Sequence, residues 1–299
     1  MTLRIGTRRS RLALAQANEI SELLRRDGVE TETVPIVTSG DRGAPASASP
    51  TGVKGLFVAE IASALQRGEI DLAVHSAKDL PAEDPDGLVI AAVPQRADAR
   101  DILVQREEGR ASVVGTSSVR RRAQLLRRHP DTSVVDVRGN VDTRLAKLES
   151  GEVEALVLAS AGLQRLGMRR AHSRALDAEE MVPAPGQGAL AVQARSDDDF
   201  ALEMLGSLEH RESRRAFDAE RRLMALIGGG CALPLGALAE TTADGGVRLR
   251  AVVVSPEGSE LVDASATDDD PERAAELVAE QLLKKGAGAI LAQAREEAP

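Results

Sequence analysis

Arginines concentrate in one stretch of a chain that is acidic overall. The 299 residues carry a formal net charge of −9, yet residues 110–130 contain no acid. The arginines of this stretch are Arg110, Arg120, Arg121, Arg122, Arg127 and Arg128. Arg120 and Arg121 fall in the first turn of a helix that Ser117 or Ser118 is predicted to cap, where cations meet the positive end of the helix dipole at a cost of about 0.3–1 kcal/mol each. A bound anion would resolve this conflict, whereas the two arginines near the end of the stretch are typical of a solvated basic face.

Two other strand-to-helix junctions also carry arginines. Arg8 lies two residues before Ser10 after the first predicted strand, and Arg138 and Arg144 flank another junction. Guanidinium groups, hydroxyls and free backbone N–H groups together bind carboxylates or phosphates. No Gly-x-x-x-x-Gly-Lys-Ser/Thr motif for a nucleoside triphosphate is present, and the basic sites are scattered along the chain. We therefore predict a ligand with several carboxylates.

Lys78 and Asp79 follow a predicted strand that ends near Ser76. A carboxylate beside a lysine at the C-terminal end of a strand can stabilise a developing cation or accept an N–H hydrogen bond during proton transfer. The competing interpretation makes Asp79 the N-cap of a helix, with Pro81 in its first turn.

Cys231 is the only cysteine, and three glycines precede it. Glycines allow a sharp loop that could present the thiol at a cleft, although a lone cysteine can equally be an inert buried residue. A single cysteine excludes an internal disulfide and a Cys-cluster zinc site. The four histidines lack metal-ligand spacing, so we expect no metal.

An internal repeat indicates two α/β units. Residues 55–77 and 139–161 both have the pattern of a helix, Gly-Glu, a strand and a small polar turn. Their matching turns would face each other across a cleft, where α/β sheets bind ligands. We predict crossings between the units near residues 89–93 and 183–188. A charged helix over 213–227, strands over 235–239, 247–254 and 261–267, and a helix from Asp270 to about Gly286 predict a small third domain with an antiparallel sheet.

The composition narrows the possible partners and the location of the protein. Trp and Tyr are absent and Phe occurs only three times, so base-stacking platforms are missing and no nucleic-acid partner is expected. No signal-peptide pattern is present, and the apolar runs are too short to span a bilayer. We therefore expect a cytoplasmic protein with no membrane partner.

Eight ordered motifs resemble those of the porphobilinogen deaminases, also called hydroxymethylbilane synthases. They are TRRS (7–10), KGLF (54–57), VHSAKDLP (74–81), VGTSSVRR (114–121), RGNVDTR (138–144), AGLQR (161–165), PGQG (185–188) and GGC (229–231). The resemblance implies two periplasmic-binding-protein-like α/β lobes with mixed, largely parallel sheets, followed by a C-terminal α+β domain with a three-stranded antiparallel sheet. The first lobe would comprise residues 1–93 and 187–208, the second 94–186, and the C-terminal domain, which carries the cofactor cysteine, 209–299.

The same resemblance implies a monomeric transferase of tetrapyrrole and haem biosynthesis. It would deaminate four porphobilinogen molecules and join them head to tail on a dipyrromethane cofactor, which is attached by a thioether to Cys231, and then release hydroxymethylbilane. Each porphobilinogen ring carries an acetate and a propionate, which agrees with the many arginines. Asp79 would be the catalytic residue, stabilising the cationic pyrrole that forms when ammonia leaves.

The resemblance also assigns binding residues. Cofactor carboxylates would be held by Lys78, Thr116, Ser118, Arg120, Arg121 and Arg144. Substrate or the growing chain would be held by Arg8, Ser10, Gln16, Lys54, Phe57, Arg138, Arg165 and Gln187. In the family, the loop over residues 39–54 covers the site. The sequence differs from the family pattern at two points in this loop: Val53 replaces the usual glycine, and residues 42–51 are rich in Ala, Ser and Pro. The alternative function is a bilobal small-anion binding protein without catalysis, which would have no use for the Lys78–Asp79 pair or Cys231.

Overall fold

A computed structural model describes residues 2–38, 52–228 and 233–296. For residues 52–57 the backbone is described and the side chains are not. The strands are β1 (Leu3–Arg8), β2 (Thr31–Ile36), β3 (Leu72–Ser76), β4 (Leu88–Ala92), β5 (Asp101–Gln105), β6 (Val113–Gly115), β7 (Ser133–Val135), β8 (Ala155–Ala159), β9 (Ser173–Leu176), β10 (Leu190–Arg195), β11 (Leu235–Thr241), β12 (Val247–Val254) and β13 (Leu261–Asp268). The helices are α1 (Arg11–Arg26), α2 (Gly52–Gln66), α3 (Val119–Arg128), α4 (Val141–Glu149), α5 (Ser160–Arg165), α6 (Asp199–Gly206), α7 (Arg211–Leu226), α8 (Pro271–Lys284) and α9 (Ala287–Glu296). Within these three segments, no helix is both long and apolar enough to cross a lipid bilayer.

Two five-stranded sheets share one plan. The first has the order β2-β1-β3-β10-β4, with β10 antiparallel to both neighbours and β1 parallel to β2 and β3. The second has the order β7-β6-β8-β5-β9, with β5 antiparallel to both neighbours and β6 parallel to β7 and β8. The chain passes from the first sheet to the second before β5 and returns to the first sheet before β10. In each sheet, the antiparallel strand is therefore the first strand after the chain has crossed between the lobes. The predicted pair of similar α/β lobes with mixed sheets is confirmed.

The first sheet is buried on both faces. In β3, Leu72 and Val74 pack in the same cluster as Ile20 of α1, whereas Ala73 packs on the opposite face with Ile61 of α2. Successive side chains of a strand point to opposite faces, so a strand covered on both sides needs a nearly continuous apolar run. Each large aliphatic side chain buried in this way contributes about 1.5–3 kcal/mol. These layers hold the C-terminal end of β3 in a fixed position.

The C-terminal domain is a three-stranded antiparallel sheet, β11-β12-β13, packed against α7, α8 and α9. The predicted start of α8 is confirmed, since Asp270 caps it and Pro271 occupies its first turn. The turn between β12 and β13 lies against α3 of the second lobe. Gly258 has a φ of +83° there, and a Cβ at this position would come within 2.6 Å of Arg127 N. Only glycine allows this close contact between the C-terminal domain and the second lobe.

Glu220 of α7 joins the C-terminal domain to both crossings between the lobes. Its fully buried carboxylate accepts hydrogen bonds from Arg96 Nη1 at 2.7 Å, from the backbone N–H of Gly186, and from Ala239 N at 2.7 Å. Arg96 lies between β4 and β5, and Gly186 lies between β9 and β10. One carboxylate therefore fixes both connections, while the exact domain limits stay predictions.

Candidate active site

The N-terminus of α1 forms the first wall of the cleft. Ser10 caps this helix, and its Oγ accepts a hydrogen bond from Ala13 N at 3.2 Å. Gln16 donates its Nε2 to Ser76 Oγ at 2.7 Å and thereby ties α1 to the end of β3. The first N–H groups of a helix have no partner within the helix, so this end of α1 suits an anion. Arg8, at the end of β1, lies beside it.

The turn after β3 brings Lys78 and Asp79 to the same edge of the sheet. Both belong to a 3₁₀ turn, Ala77–Asp79, and the chain continues extended at Leu80, with φ −72° and ψ 147°. The competing interpretation of Asp79 as a helix N-cap is therefore wrong, because no helix begins there. Gly186 of the second crossing packs against this turn with a φ of +72°, and a Cβ on it would lie 2.8 Å from Lys78 N. The crossing thus supports the backbone that presents Asp79.

Two helices of the second lobe start near the same cleft. Ser118 caps α3, with its Oγ accepting from Arg121 N at 3.4 Å, which confirms the predicted cap. In α4, Arg144 folds back over the helix start, where its Nε donates to Gly139 O at 2.8 Å. Burial lowers the pKa of Arg144, since the charged form loses hydration. A half-buried cation at a helix start favours an anionic partner.

Two adjoining cavities fill the space between these walls. The larger, about 190 Å³, is lined by Arg8, Ser10, Gln16 and Asp79 from the first lobe and by Arg144 from the second. The smaller, about 90 Å³, is lined among others by Gln16, Lys78, Arg121, Arg144 and Arg165. The two cavities share Gln16, Ser76 and Arg144. The structure therefore places Arg8 and Arg144 in the cavity of Asp79, and Lys78, Arg121 and Arg165 in the adjoining one.

A buried carboxylate that sequence analysis missed provides an internal counter-charge for α3. Asp101 of β5 is fully buried and accepts hydrogen bonds from Arg120 Nη1 at 2.7 Å, Arg121 Nε at 3.0 Å and Gln187 Nε2 at 2.9 Å. Burial alone would raise the pKa of Asp101, but the two guanidinium groups hold it well below its usual range. A bound anion, which we predicted as the partner of these arginines, is therefore not their sole counter-charge. One carboxylate faces two guanidinium groups, and a positive excess remains.

His75 lines the larger cavity, although sequence analysis assigned it no role. Its imidazole is buried, and burial lowers the pKa of His75 to about 4, against smaller opposing effects of Asp79, Gln193 and Asp84. The ring is therefore neutral at pH 7. His75 therefore places no positive charge in this cavity.

The other predicted residues lie away from the two cavities. Thr116 is buried next to the start of α3, and Arg120 and Gln187 are buried against Asp101. Arg138 is 76% exposed and pairs with Asp136 at 2.8 Å. Thr116, Ser118, Arg120, Arg138 and Gln187 line neither cavity.

Some predictions fall outside the described residues. These are Cys231, residues 39–51 of the predicted loop over residues 39–54, and the side chains of Lys54 and Phe57. The predicted end of that loop is wrong, because residues 52–54 already belong to α2. Among the residues that the structure does describe, no group of three or more His, Cys, Asp or Glu side chains is arranged to hold a metal ion.

Two α/β lobes enclose a cleft that is lined by arginines and by the carboxylate of Asp79, an arrangement suited to binding anions and stabilising positive charge. Residues 3–203 match the family model described as porphobilinogen deaminase, dipyromethane cofactor binding domain, and residues 215–284 match porphobilinogen deaminase, C-terminal domain. The chain belongs to the porphobilinogen deaminase family, as its motifs predicted.

Relatives of similar length bear the same name. The porphobilinogen deaminase of Thermus thermophilus is 47% identical over 97% of this chain and 98% of its own, and that of Brevibacillus brevis is 43% identical over 98% of each. That of Desulforudis audaxviator is 47% identical over 97% of each chain. Among solved structures, the chain is similar to an ancestral cationic amino acid solute binding protein, with a TM-score of 0.41 and 15% identity over 76% of this chain and 91% of that one.

Proposed function

We propose that this chain is a hydroxymethylbilane synthase, a transferase that deaminates four porphobilinogen molecules and joins them head to tail on a dipyrromethane attached to Cys231. One observation carries the proposal. Asp79 lies on the wall of a cavity that also receives Arg8 from the first lobe and Arg144 from the second. Such a cavity offers cationic anchors for several carboxylates around one carboxylate that can stabilise positive charge.

The donor set of the cleft fits a dipyrromethane, whose two rings each carry an acetate and a propionate. Lys78, Arg121 and Arg144 line the smaller cavity. Asp101 supplies a single negative charge to two buried guanidinium groups, so ligand carboxylates can compensate the remaining positive charge. We assign these carboxylates to Lys78, Thr116, Ser118, Arg120, Arg121 and Arg144. When bound, the dipyrromethane supplies the nucleophilic pyrrole carbon to which substrate is joined.

Asp79 is assigned the catalytic role. As the aminomethyl C–N bond of porphobilinogen breaks and ammonia leaves, positive charge develops on the pyrrole and its N–H becomes a stronger donor. A carboxylate in a confined cavity, beside a neutral His75, can accept this hydrogen bond and stabilise the charge. For substrate and the growing chain we retain Arg8, Ser10, Gln16, Lys54, Phe57, Arg138, Arg165 and Gln187.

The setting of the reaction is also a proposal. We infer that the protein is a cytoplasmic monomer, as the family resemblance implies. We also infer that it has no nucleic-acid partner, which the net charge of −9 supports. A binding protein without catalysis is not favoured, because both family models that match the chain are those of porphobilinogen deaminase.

The test is turnover of porphobilinogen by the purified full-length protein and by Asp79→Asn. Loss of a group that stabilises the reacting charge is expected to lower kcat by about 10²-fold or more. The control is Asp86→Asn, an exposed carboxylate in the same connection between β3 and β4, which is expected to keep wild-type kcat. Equal rates for Asp79→Asn and wild type would remove Asp79 from the mechanism, and an inactive wild type would refute the proposed function.

A further inference from the structure

Two ion pairs join α1 of the first lobe to the second lobe in the described part of the chain. Arg11 Nη1 lies 2.8 Å from Asp142 Oδ1, and both side chains are largely exposed. Arg165 Nε lies 2.8 Å from Glu19 Oε2, and here the arginine side chain is only 7% exposed. The second pair is therefore set into the interface between the lobes, where screening by solvent is weaker.

Glu19 engages the guanidinium group of Arg165 through two nitrogen atoms. Nε donates to Oε2 at 2.8 Å and Nη2 contacts Oε1 at 3.4 Å, the two-point geometry in which arginine binds a carboxylate. Nη2 also donates to Gly188 O at 3.2 Å, in the second crossing. Arg165 lines the smaller cavity, whereas Glu19 lines neither cavity, so the arginine lies between the cleft and its ion-pair partner.

The helices that carry this ion pair are in contact, since a Cβ on Gly162 of α5 would lie 3.7 Å from Leu12 Cδ2 of α1. The Nε of an arginine has a single hydrogen, and in Arg165 it is donated to Glu19. A ligand carboxylate that binds Arg165 through Nε must therefore displace Glu19.

We propose that Glu19 is an internal competitor for the substrate carboxylate at Arg165: it stands in for that carboxylate when the cleft holds no substrate and is displaced when substrate or the growing chain binds. The inference rests on the proposed function for the identity of the ligand as a pyrrole that bears acetate and propionate. It assigns Glu19 a role in setting affinity, with no part in the bond-making steps.

Glu19→Gln is the direct test, because it removes the charge and keeps the size of the side chain. The probe is a pyrrole that carries acetate and propionate but no aminomethyl group, so it cannot be deaminated. Its dissociation constant is measured by titration calorimetry on the full-length protein as purified. Since partly exposed ion pairs contribute little, we expect Glu19→Gln to bind the probe about two- to fivefold more tightly than wild type. The KM for porphobilinogen should fall by a similar factor, with kcat nearly unchanged.

Glu22→Gln is the matched control. Glu22 lies one turn further along α1 and pairs with Arg25 of the same helix at 2.6 Å, with both side chains exposed. Glu22→Gln changes the charge of α1 by the same amount as Glu19→Gln but leaves the cleft unaltered. Its dissociation constant for the probe should therefore match that of wild type. The effect of Glu19→Gln should also vanish in an Arg165→Met background, because the competition requires the guanidinium group.

The outcomes separate this inference from the proposed function. Unchanged or weaker probe binding by Glu19→Gln, or an effect that persists in the Arg165→Met background, overturns the role of Glu19 even if porphobilinogen turnover is normal. Tighter binding that depends on Arg165, in a protein that does not turn over porphobilinogen, would support Glu19 as a competitor and refute the proposed reaction.

Discussion

Replacing Asp101 with Asn tests the charge balance beneath the cleft. The Asp101 carboxylate is fully buried and contacts Arg120 Nη1 at 2.7 Å and Arg121 Nη2 at 2.8 Å. An amide of the same size keeps the volume but cannot neutralise a cation, and guanidinium groups do not deprotonate in proteins. The Asp101→Asn variant would therefore bury two uncompensated positive charges.

The size of the effect follows from this burial. Removing one partner of a buried ion pair costs about 3–5 kcal/mol, because the remaining charge has neither water nor a counter-ion. In larger chains the melting temperature falls by about 2 °C for each kcal/mol of stability that is lost. The melting temperature of Asp101→Asn should therefore lie roughly 6–10 °C below that of wild type. The folded-state pKa of Asp101 lies below its ordinary value, so its contribution is complete above pH 5 and is lost progressively as the pH falls below about 4 towards the folded-state pKa. The difference between wild type and variant should thus be constant from pH 5 to pH 8.

Urea unfolding of the two proteins, followed by circular dichroism at several pH values, measures this difference. Asp136→Asn is the control, because Asp136 forms an exposed pair with Arg138 and its loss should cost less than about 1 kcal/mol. A loss below about 1 kcal/mol for Asp101→Asn, or a loss equal to that of the control, would refute the assignment of Asp101 as the counter-charge of α3.

Two further predictions concern the surroundings of Asp79. His75 has a folded-state pKa of about 4, below its ordinary value, so the unfolded chain binds its proton more readily and the contribution of neutral His75 to stability is lost as the pH falls from about 6.5 towards 4. His75→Gln should therefore flatten the fall in the free energy of unfolding between pH 7 and pH 4.5, and an unchanged slope in this variant would contradict the assignment. Gly186→Ala should lower both stability, by more than about 1 kcal/mol, and porphobilinogen turnover, because the added Cβ would meet Lys78 N at 2.8 Å. Gly167→Ala has a similar positive φ of +65° with open space around it, so it should lose stability but keep its kcat.

The fold could be predicted largely because its signals are local. Caps at Ser118 and Asp270 mark the starts of α3 and α8, and the repeated order of helix, strand and turn predicts two similar lobes. The burial of β3 on both faces agrees with the three consecutive apolar residues 72–74 at its start. Each of these features depends on residues close together in the chain.

The parts of the site that escaped prediction depend on distant partners. Asp101 lies 19 and 20 positions before the arginines that it neutralises, in a strand whose place in the sheet no local pattern reveals. Glu19 and Arg165 are separated by 146 positions. The N-cap alternative for Asp79 failed for a similar reason, because the second crossing packs against the turn and a following helix does not form. Tertiary contacts of this kind override local preference.

The intact mass of freshly purified, full-length protein, measured under denaturing conditions, tests the central claim most directly. A covalently held polycarboxylate primer predicts a mass above that of the amino-acid chain by two linked pyrrole units with their acetate and propionate groups, and Cys231→Ala should have the mass of its sequence alone. A wild-type protein that weighs only what its residues weigh, or an excess that survives in Cys231→Ala, would contradict the account.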